Sequence, residues 1–80
     1  MKTVAPEWSR FVSLDRKVLG GKPVIKGTRV PVQIIVGSLA GHMTIAEVCE
    51  QYRLTPEQVH AALAYAADVL ADERVYALAR

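Results

Sequence analysis

Cysteine occurs once in these 80 residues, at Cys49. No internal disulfide can form, and a lone thiol fits a reducing compartment. Aromatics are few: Trp8, Phe11 and three tyrosines. Apolar residues make up 51% of the chain, too many for a disordered tail, yet no apolar run approaches the roughly 18–20 residues of a membrane span. Residues 1–8 lack the apolar stretch of a secretory signal. Histidine appears only as His42 and His60, eighteen positions apart and without a ligand-spaced partner, and Cys49 falls on an apolar helix stripe where thiols are inert. No Ser/His/Asp set or carboxylate pair has a pocket to work in. These absences predict a small, soluble, cytoplasmic binding domain with no catalytic residues, metal or cofactor. A chain this short buries a modest fraction of its surface and tends to lean on a second subunit or partner.

The net charge of +2 conceals an uneven distribution. Residues 1–30 hold seven cations against two anions, whereas residues 31–80 hold three against six. A basic arm is the usual electrostatic footprint for a phosphate backbone. The densest part is residues 20–31, Gly-Gly-Lys-Pro-Val-Ile-Lys-Gly-Thr-Arg-Val-Pro, with three glycines, two prolines and three cations. Glycine opens backbone angles closed to other residues and proline removes them, so this segment must be a shaped loop-and-strand element. It is no nucleotide loop, because five residues separate Gly21 from Gly27 where a P-loop has four, and Thr28-Arg29 follows.

The alternation Val12-Ser13-Leu14 predicts a short strand, and Asp15-Arg16-Lys17 a turn. Val24-Ile25 and Thr28 to Val30 read either as a hairpin around Lys26-Gly27 or as one extended strand with a glycine bulge. Trp8 and Phe11 are expected to anchor onto a core or a second subunit. Arg29 is either a phosphate contact or a structural arginine paired with Glu47 or Glu50.

Three helices follow. Pro31 opens the first, over residues 32–40, with Ile34, Ile35, Leu39 and Val36 inward and Gly41 as its stop. Thr44-Ile45-Ala46-Glu47 is a capping box that starts a second helix with Ile45, Val48, Cys49 and Tyr52 on one face. Thr55-Pro56-Glu57-Gln58 is another, opening a third helix toward Leu78 with Val59, Leu63, Ala66 and Leu70 as its main stripe and Ala62 and Val69 beside them. The predicted fold is therefore mainly α: a basic arm with short β-strands over residues 1–31, then a three-helix, helix-turn-helix-like bundle over 32–80.

In a DNA-binding helix-turn-helix, residues early in the third helix enter the major groove. Gln58, His60 and Ala61 are the candidates, since glutamine can read adenine and alanine can touch a thymine methyl. No Arg or Lys lies between Pro56 and Glu73, so phosphate affinity falls to Arg16, Lys17, Lys22, Lys26 and Arg29. Apolar residues on more than one side of the last helix, with Tyr65, Val69, Val75 and Tyr76 among them, predict a partner surface.

The run Gly-Gly-Lys-Pro-Val-Ile-Lys-Gly-Thr-Arg-Val-Pro-Val, with Gly41 ahead of Thr44-Ile-Ala-Glu, and then Leu54-Thr55-Pro56-Glu57-Gln58-Val59, resembles a widespread prokaryotic family, domain of unknown function 433. Ala62-Leu63-Ala64-Tyr65-Ala66 completes the resemblance, which covers roughly residues 12–70. It implies Gly21, Lys22, Pro23, Gly27, Thr28, Arg29 and Pro31 as the family signature, and a helix-turn-helix-like fold preceded by short strands. For part of the family it also implies an antitoxin role beside a toxin of PIN-like nuclease fold. The expectation is a homodimeric type II antitoxin that binds its toxin through the last helix and represses its operon through operator DNA. The rivals are a stand-alone helix-turn-helix regulator and an interaction module that never meets DNA.

Overall fold

The computed structural model describes residues 5–72. The partner residues Val75 and Tyr76, and a third helix continuing to Leu78, lie outside that range. A single 3₁₀ turn (Glu7–Arg10) leads into strand β1 (Val12–Ser13), which pairs antiparallel with β2 (Val24–Ile25) in the register Val12 to Ile25 and Ser13 to Val24. Helices α1 (Val32–Ala40), α2 (Ile45–Tyr52) and α3 (Pro56–Asp72) follow. The protein is mainly helical with a short two-stranded sheet at its N-terminal end.

The two readings of residues 22–30 resolve into one arrangement. The ladder partner of β2 is β1, while residues 26–28 turn tightly and bring Val30 and Pro31 back alongside β2. Thr28 N–H donates to the Ile25 carbonyl (3.0 Å), Ile25 N–H to the Val30 carbonyl (3.0 Å), and Val24 bridges to Pro31. The Thr28 hydroxyl donates to the Ile25 carbonyl at 2.8 Å and accepts from Val30 N–H at 3.0 Å. Gly27 sits at φ 77° in this turn, where an L side chain is disfavoured.

The same loop sets the rotation of α1. Val32 N–H donates to the Pro23 carbonyl at 2.9 Å, and Pro31, extended at φ −70° and ψ 145°, is the N-cap. Val32 and Ile35 are buried, and Val36 and Leu39 pack against the core. This is the i, i+3, i+4, i+7 stripe of an amphipathic helix. Ile34, expected inward, is 42% exposed. Gly41 is the expected stop, the C-cap at φ −86°, while the left-handed angle that closes the helix is taken by His42, at 79°. Met43 N–H bonds to the Ser38 carbonyl and His42 N–H to that of Leu39, the paired bonds of a Schellman ending.

Both capping boxes form. Glu47 Oε1 accepts from Thr44 N–H at 2.8 Å while Thr44 Oγ1 accepts from Glu47 N–H at 3.0 Å. Gln58 Oε1 and Thr55 make the same exchange at 2.8 and 3.2 Å. Between them α2 stops at Arg53, left-handed at φ 59°, and Leu54 N–H returns to the Cys49 carbonyl. Leu54 then drops into the core.

That core gathers Val12 and Ile25 from the ladder, Val32 and Ile35 from α1, Val48 from α2, and Val59, Ala61 and Ala62 from α3. The stripe expected on α3 holds at Val59 and Ala62, both buried, and slips beyond them: Leu63 is only half-buried and Leu70 61% exposed, while Ala61 is covered. The N-terminal 3₁₀ turn packs on α3, where Trp8 and Phe11 stand beside Ala61. Trp8 meets Tyr65 edge-on with centroids 4.8 Å apart, so Trp8 and Phe11 anchor to this chain's own core.

Candidate functional site

Most of the glycine-rich segment is spent on shape. Leu19, Gly20 and Gly21 pass through left-handed angles in succession, 50°, 67° and 90°. A Cβ on Gly21 would lie 3.7 Å from Arg16 Cα, so the loop folds back on its own start. Asp15 closes that start, its carboxylate accepting from Lys17 N–H at 2.8 Å. The side chains left over are cations. Arg16, Lys17, Lys22, Lys26 and Arg29 are all exposed, and among the described residues the ion pair found is Glu7 with Arg10 at 3.9 Å. Arg29 thus pairs with neither Glu47 nor Glu50. The five cations flank the sheet at both ends: Arg16, Lys17 and Lys22 lie in the β1–β2 connection, Lys26 and Arg29 in the turn after β2.

The start of α3 offers less to a base edge than its sequence suggests. Gln58 has its side-chain carbonyl committed to the Thr55 cap. Ala61, expected to face outward, is only 6% exposed and belongs to the core. His60 is exposed and lines a cleft of about 430 Å³ with Trp8, Arg10, Phe11 and Glu57. Arg10 lies over the Phe11 ring at 5.9 Å from its centroid. The 3₁₀ turn therefore stands beside the helix face that a major groove would have to meet.

A second concavity is different in kind. A groove of about 520 Å³ runs between the arm, α1 and the C-terminal half of α3. The arm contributes Pro23 and Pro31 with Lys22 at the rim, α1 contributes Gln33, Val36 and Gly37, and α3 contributes Tyr65, Ala66, Val69 and Leu70. Tyr65 and Val69, both expected to bind a partner, are brought together here. Pro23, Val36 and Leu70 were not expected at such a site. A legible sign was the absence of any charged residue from Val30 to Ala46, which leaves α1 without a charged face. Cys49 is free and half-buried against the core. Among the described residues no group of three His, Cys, Asp or Glu could hold a metal ion, and no helix is long and apolar enough to cross a membrane.

A family model described as a protein of unknown function, DUF433, matches residues 12–66, from β1 into the third helix. The chain belongs to the DUF433 family. Among solved structures it is similar to Rv2018 from Mycobacterium tuberculosis, at 36% identity and a TM-score of 0.59. That likeness covers 65% of this chain and 24% of the other, so the chain spans about a quarter of that protein's length. None of the curated proteins matches the chain. The family match encloses the whole shaped arm and both capping boxes, and ends just before Val69 and Leu70, which complete the apolar groove.

Proposed function

We propose that this chain is the antitoxin of a type II toxin–antitoxin system, a cytoplasmic, non-enzymatic protein that neutralises a PIN-like nuclease by direct binding and represses its own operon. The observation that carries the reading is the apolar groove, which puts Tyr65 and Val69 on one accessible wall beside an arm of exposed cations. Apolar concavities of this kind serve protein partners. The toxin covers the C-terminal half of α3. Operator DNA meets Arg16, Lys17, Lys22, Lys26 and Arg29.

With Ala61 buried and the Gln58 carbonyl committed, the DNA contact rests on phosphates more than on base edges. Phosphate contacts position a protein and make binding salt-dependent, while base contacts supply sequence discrimination. A second reading, an interaction module without DNA, draws support from Glu57 and Asp68, both exposed on α3 where they oppose phosphates. A stand-alone regulator would keep the arm and lack a toxin.

The test is co-expression with the product of the adjacent gene, one of the two tagged. A stoichiometric complex that suppresses the neighbour's toxicity, and that Val69→Asp abolishes, is the expected result. Failure to recover any complex would overturn the antitoxin reading in favour of the regulator. DNA titration at two salt concentrations then separates the remaining two: Lys22→Glu with Lys26→Glu should weaken binding and flatten its salt dependence, and unchanged affinity would remove the arm from the interface.

A further inference from the structure

We infer that the β1–β2 connection meets DNA in the minor groove, with Leu19 as an apolar wedge at a base step and Arg16, Lys17 and Lys22 on the flanking phosphates. The inference rests on the DNA-binding half of the proposed function and replaces the major-groove approach expected of the third helix. Leu19 is 38% exposed and stands at φ 50°. Gly21 N–H donates to the Val18 carbonyl at 2.9 Å, closing a turn whose two central residues, Leu19 and Gly20, both have positive φ. Asn, Asp and Gly dominate such positions, and an L side chain as large as leucine is disfavoured there. Leu19 is thus held at an unfavourable backbone angle without burying its side chain in return. Strain of this kind clusters at ligand-binding positions.

The surroundings of Leu19 select a nucleic acid. The same loop carries Leu14, 52% exposed, and the three exposed cations Arg16, Lys17 and Lys22. Its one anion, Asp15, is turned onto the backbone, accepting from Lys17 N–H. Lys17 and Lys22 bracket Leu19 along the chain, and the fold-back of Gly21 onto Arg16 brings the third cation to the same turn. An apolar side chain between cations matches a minor groove, where each base step lies between two rows of phosphates. Proteins that bind there insert leucine and similar wedges and kink the duplex. A protein interface would instead deplete lysine around its apolar centre, and a lipid surface takes up a broad apolar face. Early α3 offers little base-edge readout, with the Gln58 carbonyl capped and Ala61 buried. Discrimination therefore falls to deformability, with pyrimidine–purine steps favoured because they unstack most easily.

The test is energy transfer between the labelled ends of an A·T-rich duplex of about 30 bp with a central TA step, titrated with the full chain at low salt. Wild type should shorten the end-to-end distance at saturation, as a kink of roughly 20–90° does. Leu19→Gly and Leu19→Asn both suit a left-handed angle and remove the wedge. Each should bind about tenfold more weakly, the scale of one buried leucine side chain, and leave the duplex straight at saturation. Their salt dependence should match that of wild type, because no charge has changed, and their melting temperatures should not fall. A wild type that binds without bending the duplex, or variants that bend it equally, would overturn the wedge and leave the phosphate contacts of the arm standing. Lower melting temperatures in both variants would make Leu19 a structural residue and overturn it as well. A chain that binds no duplex at low salt overturns the DNA reading and the wedge with it. Leu19-dependent capture by vesicles of equimolar phosphatidylcholine and phosphatidylglycerol would then assign the loop to a lipid surface.

Discussion

The indole Nε1–H of Trp8 donates to Asp68 Oδ2 at 2.7 Å, joining residues sixty positions apart. With the edge-on packing of Trp8 against Tyr65, this bond fastens the N-terminal 3₁₀ turn to the middle of α3. The turn is part of the folded domain, and it occupies the flank of the helix that a helix-turn-helix would present to DNA.

Trp8→Phe keeps a ring against Tyr65 and removes the donor. It should cost about 1 kcal/mol, the usual net worth of one hydrogen bond. Asp68→Asn should cost less than that, and the double variant should show non-additive loss in urea denaturation because both changes remove one contact. Full additivity would mean that the bond contributes nothing in solution.

Two glycines with open space around them should respond in opposite directions to alanine. Gly27 is at φ 77° and Gly37 lies inside α1, and a Cβ would meet nothing within 4 Å at either. Gly27→Ala meets only the left-handed backbone penalty, about 1 kcal/mol of destabilisation. Gly37→Ala should stabilise by about 0.5–1 kcal/mol, as alanine replaces glycine in an exposed helix interior. Paired thermal melts read both signs directly.

Thr28→Val retains the β-branched shape and loses the hydroxyl. Val30 N–H then has no acceptor and the Ile25 carbonyl loses one of its two donors. The expected loss is about 1–2 kcal/mol, since an orphaned part-buried donor costs more than a hydrogen bond is worth. Thr28→Ser should recover most of it. A valine variant as stable as wild type would show that the turn is held by its backbone bonds alone.

Arg53 ends α2 in a left-handed conformation that glycine adopts without penalty. Arg53→Gly should raise stability by about 0.5–1 kcal/mol, which for a domain of this size moves Tm upward by a few degrees. A fall in Tm would reveal a stabilising contact of the Arg53 side chain.

Where signals were local, the structure follows them. Thr44 and Glu47, and Thr55 and Gln58, cap their helices across three residues because each box is satisfied within one turn. Val32–Ala40, read as a helix from Pro31 and Gly41, has those bounds, although the left-handed residue that closes it is His42. Tyr65 and Val69 do share a groove, but Leu70 beside them was read as core, because a helix stripe drawn from spacing alone does not say which side a distant segment covers.

The amino-acid sequence by itself determined the helices, their starts and the basic character of the arm, all of which depend on bonds and angles within a few residues. Tertiary structure alone decided which strand pairs with Val24–Ile25, which face of α3 is buried, and that Ala61 is core while Leu70 is exposed. These outcomes depend on contacts between distant segments, such as the landing of the Trp8 turn on α3, made across most of the chain. A contact of that span leaves no periodicity at either end, so nothing local could announce it.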